Sequence, residues 1–278
     1  MHTAAGKIED QPQKIGDVRY LGDGLIESLG KRWGTIAVMS KTILAALLLL
    51  SGMLQQIPPA FPRDGAIPII DNNRVTVWDV TWPKGKPTLM LQGKLDMVTI
   101  ELENAAIKVT SAKSKTKTVP LKLGQASFIE RGVTQKEEGT SEPVRHAIVI
   151  ELKDVTVAPL EYDKVFPDAF PREGAKKLLT NKRATVWDYT WTMNVPTPIH
   201  FHSKDVVVVY LETGEVKSEA IDGSVVVNKL ERGLTRFNAR NRTHSEELVK
   251  GASRAIIVEL NEQKPRSKRT FPIETVEH

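Results

Sequence analysis

The chain contains no cysteine among its 278 residues. Disulfide bonds, thiolate nucleophiles and cysteine-based zinc sites are therefore excluded. The absence of cysteine does not decide the compartment, because an exported protein need not contain disulfides. A Gly-rich phosphate loop, a Gly-x-Ser-x-Gly elbow and a zinc-protease helix motif are also missing from the sequence. Few of the common catalytic motifs therefore compete with the features described below.

No long segment carries charge of a single sign. The formal net charge of +5 is spread along the chain without a basic arm or stripe, so we do not expect nucleic-acid binding. A hydrophobic fraction of 40% and a charged fraction of 26% indicate a globular protein long enough for two domains. The densest basic run, residues 264–269, belongs to a polar tail, 263–278, that we interpret as solvated.

An apolar run precedes the rest of the chain. Met39-Ser40-Lys41 is followed by about ten apolar residues, which is the form of a secretory signal peptide. We therefore predict a signal peptide or signal anchor at residues 39–60. Residues 1–38 are then a non-native or disordered extension upstream of the true start at Met39.

This interpretation predicts a periplasmic or secreted protein. A protein tethered to the membrane by an uncleaved anchor is the alternative, although the run is shorter than the ~20 residues of a spanning helix. Cleavage after Ala60 is one option, but Pro58 fits the small-residue rule poorly. A buried core helix is a third interpretation.

The same domain occurs twice in the chain. The sequence FPRDGA at residues 61–66 recurs as FPREGA at 170–175, and RVTVWDVTW at 74–82 recurs as RATVWDYTW at 183–191. A constant offset between repeated segments indicates duplicated architecture. We place the copies at 61–154 and 170–262, joined by a linker at 155–169. Many short strands and turn signals in each copy predict an all-β sandwich or barrel.

Only the second copy carries a histidine cluster. It contains His200, His202 and His244, where the first copy has Leu91, Gly93 and Pro143. The two-residue period of a strand puts the first two imidazoles on one face. Features that both copies share are expected to be scaffold, and features of one copy alone are expected to carry chemistry.

The spacing of these histidines resembles that of the cupin family. The first cupin motif, G-x5-H-x-H-x3,4-E-x6-G, is matched in order by Asn194, His200, His202, Val207 and Gly214. The second motif, G-x5-P-x-G-x2-H-x3-N, is matched in order by Gly233, Ala239, Asn241, His244 and Leu248. The histidines and two glycines keep the family spacing, whereas Val207 stands in place of the glutamate.

The resemblance implies a tandem bicupin, with two jelly-roll (double-stranded β-helix) barrels of which the first is degenerate. It also implies that His200, His202 and His244 hold a divalent metal: iron, manganese, nickel, copper or zinc. Without the glutamate the ligands form a neutral three-histidine face, as in some cupin-type dioxygenases. A remnant of a lost metal site is the alternative.

Two functions remain open. The first is an exported module that binds a small-molecule ligand without turnover. The second is a metal-dependent, dioxygenase-like enzyme acting on a small organic substrate. The two barrels can cover each other's apolar face, so we expect either a monomeric pseudo-dimer or a homodimer, with membrane contact only through the N-terminal segment.

Several other polar residues are weaker candidates. Asp205 is interpreted as structural, because Asp96 matches it in the copy without histidines; a β-bulge that re-aims it toward the metal is the alternative. The repeated Trp-Asp-x-Thr-Trp pattern is interpreted as core, or as the seam between barrels, with an aromatic stacking platform as the alternative.

The arginines beside His244 have two interpretations. Arg236, Arg240 and Arg242 are taken as an outward, solvated edge; if they point inward, they bind a carboxylate or phosphate. Glu246 or Glu247 is a candidate either to orient a ligand histidine or to act as a general base.

Overall fold

A computed structural model describes residues 56–158 and 160–262. The predicted N-terminal extension at 1–38, residues 39–55 of the predicted signal segment and the tail at 263–278 lie outside the described residues. Within the described ranges every regular element is a β-strand, and none of these residues forms a helix able to cross a membrane. The prediction of an all-β protein is confirmed for this part of the chain.

The first copy is a barrel of two sheets. Its nine strands are β1 (Ala66–Asp71), β2 (Val75–Trp82), β3 (Leu91–Gln92), β4 (Asp96–Glu101), β5 (Ala105–Ser111), β6 (Thr116–Leu121), β7 (Ala126–Ile129), β8 (Thr134–Gly139) and β9 (Arg145–Leu152). One sheet has the order β1-β2-β9-β4-β7 and the other β3-β8-β5-β6. All the pairings within these two sheets are antiparallel.

The second copy repeats this topology strand for strand. Its strands are β10 (Lys176–Thr180), β11 (Ala184–Thr190), β12 (His200–His202), β13 (Val206–Tyr210), β14 (Gly214–Ala220), β15 (Val225–Leu230), β16 (Thr235–Asn238), β17 (Arg242–Gly251) and β18 (Arg254–Leu260). The sheets have the orders β10-β11-β18-β13-β16 and β12-β17-β14-β15. The two predicted jelly-roll barrels are therefore present.

Turns in the shared motifs depend on glycine. Gly65 and its counterpart Gly174 have φ of 75° and 76°, in the left-handed region that glycine tolerates best. A Cβ on Gly65 would also lie 2.8 Å from the carbonyl oxygen of Thr81. The FPRDGA and FPREGA repeats therefore keep glycine for reasons of backbone geometry.

The largest apolar core lies between the barrels. The five-stranded sheets contribute equivalent residues to one buried cluster, among them Val77, Val98 and Ile150 from the first barrel and Val186, Val207 and Val258 from the second. Each of these six side chains is fully buried. The predicted covering of one barrel's apolar face by the other is therefore seen within the chain.

Reciprocal ion pairs flank this core. Arg74 of the first barrel lies 3.0 Å from Asp205 of the second, and Arg183 of the second lies 3.0 Å from Asp96 of the first. Each pair joins equivalent residues with the copies exchanged, so the barrels are related by a pseudo-twofold axis. Asp205 therefore joins the barrels, which confirms its interpretation as structural.

The repeated tryptophans are buried, as the core interpretation predicts. Trp78 and Trp187 each donate a hydrogen bond from Nε1 to a buried carboxylate, Glu151 and Glu259 respectively.

The chain just before the first barrel also packs on that barrel. The Ala60 amide donates to the Gln92 carbonyl oxygen, and Ala60 is buried.

Candidate metal centre

Two neighbouring strands bring the predicted histidines together. β12 pairs with the start of β17 in an antiparallel register that sets His200 opposite His244 and His202 opposite Arg242. Asn241, with φ of 67°, directly precedes β17, and its amide donates to the carbonyl oxygen of His202. These local bonds hold the two short segments in the register that the site needs.

The three imidazoles form a compact triangle. Their ring centroids are 4.9–5.1 Å apart, and one ring nitrogen from each lies within 4.8 Å of the other two. His200 and His202 are buried, and His244 is partly buried. No other group of three or more histidines or acidic residues in the described part of the chain has this geometry.

The hydrogen bonds leave the same nitrogen of each ring facing the triangle. His200 Nδ1 lies 2.9 Å from the carbonyl oxygen of Pro198, and His244 Nδ1 lies 2.8 Å from the Ser218 hydroxyl. The Nε2 atoms of His202 and His244 lie 3.0 Å from each other. His200 Nε2 is buried and has no hydrogen-bond partner.

This arrangement fits a divalent cation. An Nδ1–H that donates to a carbonyl leaves Nε2 of His200 as a lone pair, and a buried lone pair without a partner is costly. Two neutral imidazoles that face each other through Nε2 can share only one proton between them. A metal ion held by the three Nε2 atoms would satisfy all of them.

Burial keeps the imidazoles neutral. It lowers the pKa of His202 to about 2 and that of His244 to about 4, and it also lowers the pKa of His200. The positive charge of Arg242 adds to the effect at His202. Neutral imidazole is the form that binds metals, so the site does not have to lose protons at neutral pH.

A polar cavity of about 220 Å³ adjoins the histidines inside the second barrel. Arg236 and Arg242 line it, and neither forms an ion pair with a carboxylate within the described part of the chain. Burial lowers the pKa of Arg242 despite the nearby negative charge of Glu246. The interior therefore carries excess positive charge.

The outward interpretation of the arginine group is wrong for two of its three members. Arg236 and Arg242 line the cavity, whereas Arg240 points away and contacts Glu262 and the Ala158 carbonyl oxygen. Strand alternation places Arg236 on the inner face of β16. The turn through Asn241 then interrupts the alternation, so that Arg240 lies outside and Arg242 inside.

Glu246 belongs to a framework that both barrels share. Its side chain is 16% exposed, lies 3.4 Å from Arg172 and accepts a hydrogen bond from Trp191 Nε1. The first barrel repeats this arrangement with Glu137, Arg63 and Trp82, and it has no histidine cluster. The role of Glu246 is therefore at least partly structural, and Glu247 pairs instead with Lys217.

The glutamate position of the motif is Val206 and not Val207, because the shorter of the two spacings that the motif allows applies here. Val206 is buried and lines the cavity, whereas Val207 points to the opposite face and packs between the barrels. With three residues after His202 instead of four, Val206 takes the place of the family's glutamate. The site still lacks a carboxylate there.

The first barrel has lost its cavity. Leu91 pairs with Gln135 in the register in which His200 pairs with His244, so Gln135 and not Pro143 is the counterpart of His244. The Arg145 guanidinium projects over Trp82 and makes two hydrogen bonds to the buried Glu101. Only about 40 Å³ of space remains.

Sequence reasoning missed several polar residues in the cavity of the second barrel. They are Tyr210, Ser218, Asn228 and Asn238. Ser218, Asn228 and Asn238 stand where the first barrel has Val109, Val119 and Ile129, respectively. The matching strand registers show these equivalences. The sequence did contain a sign of these cavity residues, because inward positions that are apolar in the first copy are polar in the second.

No family model matches the chain, and no curated protein sequence matches it either. Solved structures do match. A variant of Bacillus subtilis oxalate decarboxylase is similar over 72% of this chain and 73% of its own, with 9% identity and a TM-score of 0.52. A second structure of that enzyme, from work on its Mn(II) centres, covers 70% of this chain and 71% of its own, with 9% identity and a TM-score of 0.50.

A cupin 2 conserved barrel domain protein from Leptotrichia buccalis also matches, with 13% identity over 70% of this chain and 88% of its own, and a TM-score of 0.47. The similarities to the decarboxylase structures are long enough to include both barrels. Because the sequence identities are low, they show only that the folds are similar. They support the two-barrel fold described above.

Proposed function

From the bicupin fold of this chain, we propose that its second barrel is a binding module for a small anionic ligand, centred on one divalent metal ion. His200, His202 and His244 would hold the metal. The observation that carries the proposal is the convergence of three neutral imidazole nitrogens beside a cavity with two unpaired arginines. Export of the protein is a separate prediction, which depends on the N-terminal segment.

Imidazole ligands suit iron, manganese, nickel, copper and zinc. The oxalate decarboxylase with the same fold has Mn(II) centres, which supports a divalent ion in a barrel of this kind. A bound metal would supply a Lewis acid that attracts an oxyanion. The ligand set here differs from a set with a carboxylate, because Val206 occupies the corresponding position.

The arginines indicate the charge of the ligand. Arg236 donates to the Asn228 side chain, and Arg242 donates to the Ala239 carbonyl oxygen, so each guanidinium retains free N–H groups. Guanidinium groups bind carboxylate or phosphate oxygens in a bidentate way. A small carboxylate or phosphate would provide the negative charge that the cavity lacks.

Among the described residues that line the cavity, the one carboxylate, Glu246, is held in an ion pair, and this favours binding over turnover. Glu246 is the carboxylate beside His244. Arg172 lowers the pKa of Glu246 against the opposing effect of burial and fixes the position of the Glu246 side chain. The same ion pair in the first barrel has no metal site to serve. A carboxylate held in this way is poorly placed to accept a proton during a reaction.

A metal-dependent enzyme is the second candidate. The observation that favours it is the apolar Val206, which leaves the histidine face open to the cavity on one side. With iron added, consumption of oxygen that depends on a small organic acid would support this function. If no oxygen is consumed with any of the metals that bind, the binding module remains the proposed function.

Metal content of the full chain tests the proposal. The purified protein is dialysed without chelator and analysed by mass spectrometry of its elements, beside a His200→Ala/His202→Ala variant. His146→Ala is the matched control, because His146 lies in the first barrel and pairs with Asp79. We expect about one metal per chain, lost only in the double variant.

Two outcomes contradict the proposal. One is the absence of metal from all three proteins after reconstitution with iron, manganese, nickel, copper and zinc. The other is equal metal content in the wild type and the double variant. If metal binds as expected, an Arg236→Gln/Arg242→Gln variant should keep the metal and lose retention of small carboxylates and phosphates.

A further inference from the structure

Among the described residues, β15 is an edge strand of the second barrel with no neighbouring strand on its outer side. β15 ends the sheet of order β12-β17-β14-β15. Three consecutive valines on it, Val225, Val226 and Val227, are 52%, 59% and 50% exposed. An exposed apolar edge strand offers a template on which another strand can pair.

The register with β14 shows which backbone groups are free. The Ala220 amide donates to the Ser224 carbonyl oxygen, and the pairing continues with Ser218 opposite Val226. Hydrogen-bonded and non-hydrogen-bonded positions alternate along an antiparallel pair. The N–H and C=O groups of Val225, Val227 and Lys229 therefore point away from β14, toward the open edge.

The equivalent edge of the first barrel is blocked. β6 ends its sheet in the same way, and its outward backbone positions are Thr116, Thr118 and Pro120. Pro120 has no N–H to donate, and Lys117 replaces the central valine with a charge. Proline and lysine are two devices that protect sheet edges from pairing. The second barrel has no proline on this edge, and its one lysine, Lys229, lies near the end of β15 beyond the three valines.

We propose that β15 pairs with β15 of a second copy of this chain, antiparallel and about a twofold axis at Val226. The pairing would join two four-stranded sheets into one and leave the inter-barrel core untouched. It does not depend on a metal or ligand in the second barrel.

The edge complements itself in this register. Val225 faces Val227 of the other copy and Val226 faces its own equivalent, so valine meets valine along the centre. Lys229 of each copy falls opposite Gly223 of the other, one residue from the exposed carboxylate of Asp222. In this register no like charges are set opposite each other.

The twofold pairing also bears on the cavity. Val226 lines the cavity and is exposed at its open side. Directly opposed residues of an antiparallel pair point to the same face of the sheet. Val226 of the second copy would therefore extend the apolar rim of the cavity.

A single introduced cysteine tests the register directly, because the natural chain has none. The two Val226 residues form a non-hydrogen-bonded pair, whose Cα atoms lie about 4.5 Å apart, within disulfide range. We expect full-length Val226→Cys protein to form a covalent dimer under mild oxidation. Lys117→Cys, the equivalent substitution in the first barrel, is the control and should remain monomeric on a denaturing gel.

The proposal fails if Val226→Cys does not cross-link, or if Lys117→Cys cross-links to the same extent. A second variant guards against an effect of the cysteine itself. Lys229→Pro copies Pro120, which the first barrel accommodates at the same place, and it removes an outward N–H. We expect at least a tenfold weaker dimer by analytical ultracentrifugation of the full chain, with unchanged circular dichroism. Equal dimerisation of wild type and Lys229→Pro would contradict the pairing.

Discussion

Asparagine replaces glycine without changing the backbone at two places in the second barrel. Asn194 and Asn241 occupy glycine positions of the cupin motifs, and they have φ of 57° and 67°. Asparagine is among the few residues with a side chain that adopt the left-handed region readily. These departures from the motif therefore do not indicate that the site has lost its geometry.

A pair of substitutions at Asn241 tests this point. We expect Asn241→Gly to unfold at the same urea concentration as the wild type. Asn241→Ala should lose about 1 kcal/mol, because alanine is strained at positive φ. Denaturation of both variants followed by circular dichroism measures the difference. Equal stability of the alanine and glycine variants would show that the left-handed conformation is not required.

The buried charges of the first barrel should respond to acid. Burial raises the pKa of Glu137, but Arg145, Arg63 and the hydrogen bond from Trp82 outweigh this effect and lower it below 4.5. A carboxyl with a lowered pKa stabilises the fold above its unfolded-state pKa, and this stability is lost as pH falls through the folded-state pKa. Gln135, the remaining polar neighbour, is uncharged.

We therefore expect Glu137→Gln to cost about 3 kcal/mol at pH 7, where it leaves the buried Arg63 without its ion-pair partner. The difference from the wild type should shrink as the pH falls below about 4.5. Urea unfolding between pH 3 and 7 measures it. The control is Glu138→Gln on the same strand, which removes a surface pair with Lys108 and should cost less than about 1 kcal/mol.

At the scale of elements, neighbouring valines on β13 lie on opposite faces of the strand and have different roles. Val206 faces the cavity and Val207 faces the inter-barrel core. We expect Val207→Glu to destabilise the protein by ~3 kcal/mol or more, because it buries an unpaired charge. Val206→Glu should cost less, since Arg236 and the metal site lie nearby. Urea unfolding with and without Zn²⁺ compares them, and a larger cost at position 206 with metal present would reverse the assignment of the two faces.

Most strands, the duplication and the grouping of His200, His202 and His244 could be predicted from the sequence. Strand alternation and repeat spacing are local properties, and the histidine spacing matches a known motif. The outward position of Arg240 could not be predicted in this way, because the turn through Asn241 interrupts the alternation that places Arg236 inside. The counterpart of His244 was misplaced at Pro143 by an error of counting, because the offset that relates FPRDGA to FPREGA leads from His244 back to Gln135.

At the scale of the whole molecule, the chain behaves as a dimer of barrels within one polypeptide. The pairs Arg74–Asp205 and Arg183–Asp96 have side chains that are 9–12% exposed. We expect Asp205→Ala to cost about 3 kcal/mol, because it leaves Arg74 buried without its partner. Adding Arg74→Ala should recover about 2 kcal/mol of that cost, as coupled residues are not additive. Additive costs in this double-mutant cycle would show that the pair does not couple the barrels.

The shared core predicts that the second barrel cannot fold as a monomer by itself. A fragment of residues 160–262 would expose the buried face that includes Val186, Val207 and Val258. Contiguous apolar surface of this kind leads to association. We expect the fragment to precipitate or to self-associate in ultracentrifugation. Co-expression with residues 56–158 should restore a soluble one-to-one complex, because the first barrel supplies both the matching apolar face and the reciprocal ion pairs. A monomeric fragment that unfolds cooperatively would instead show that the first barrel is dispensable for the fold, and its role would then have to be sought in its blocked sheet edge or its filled interior.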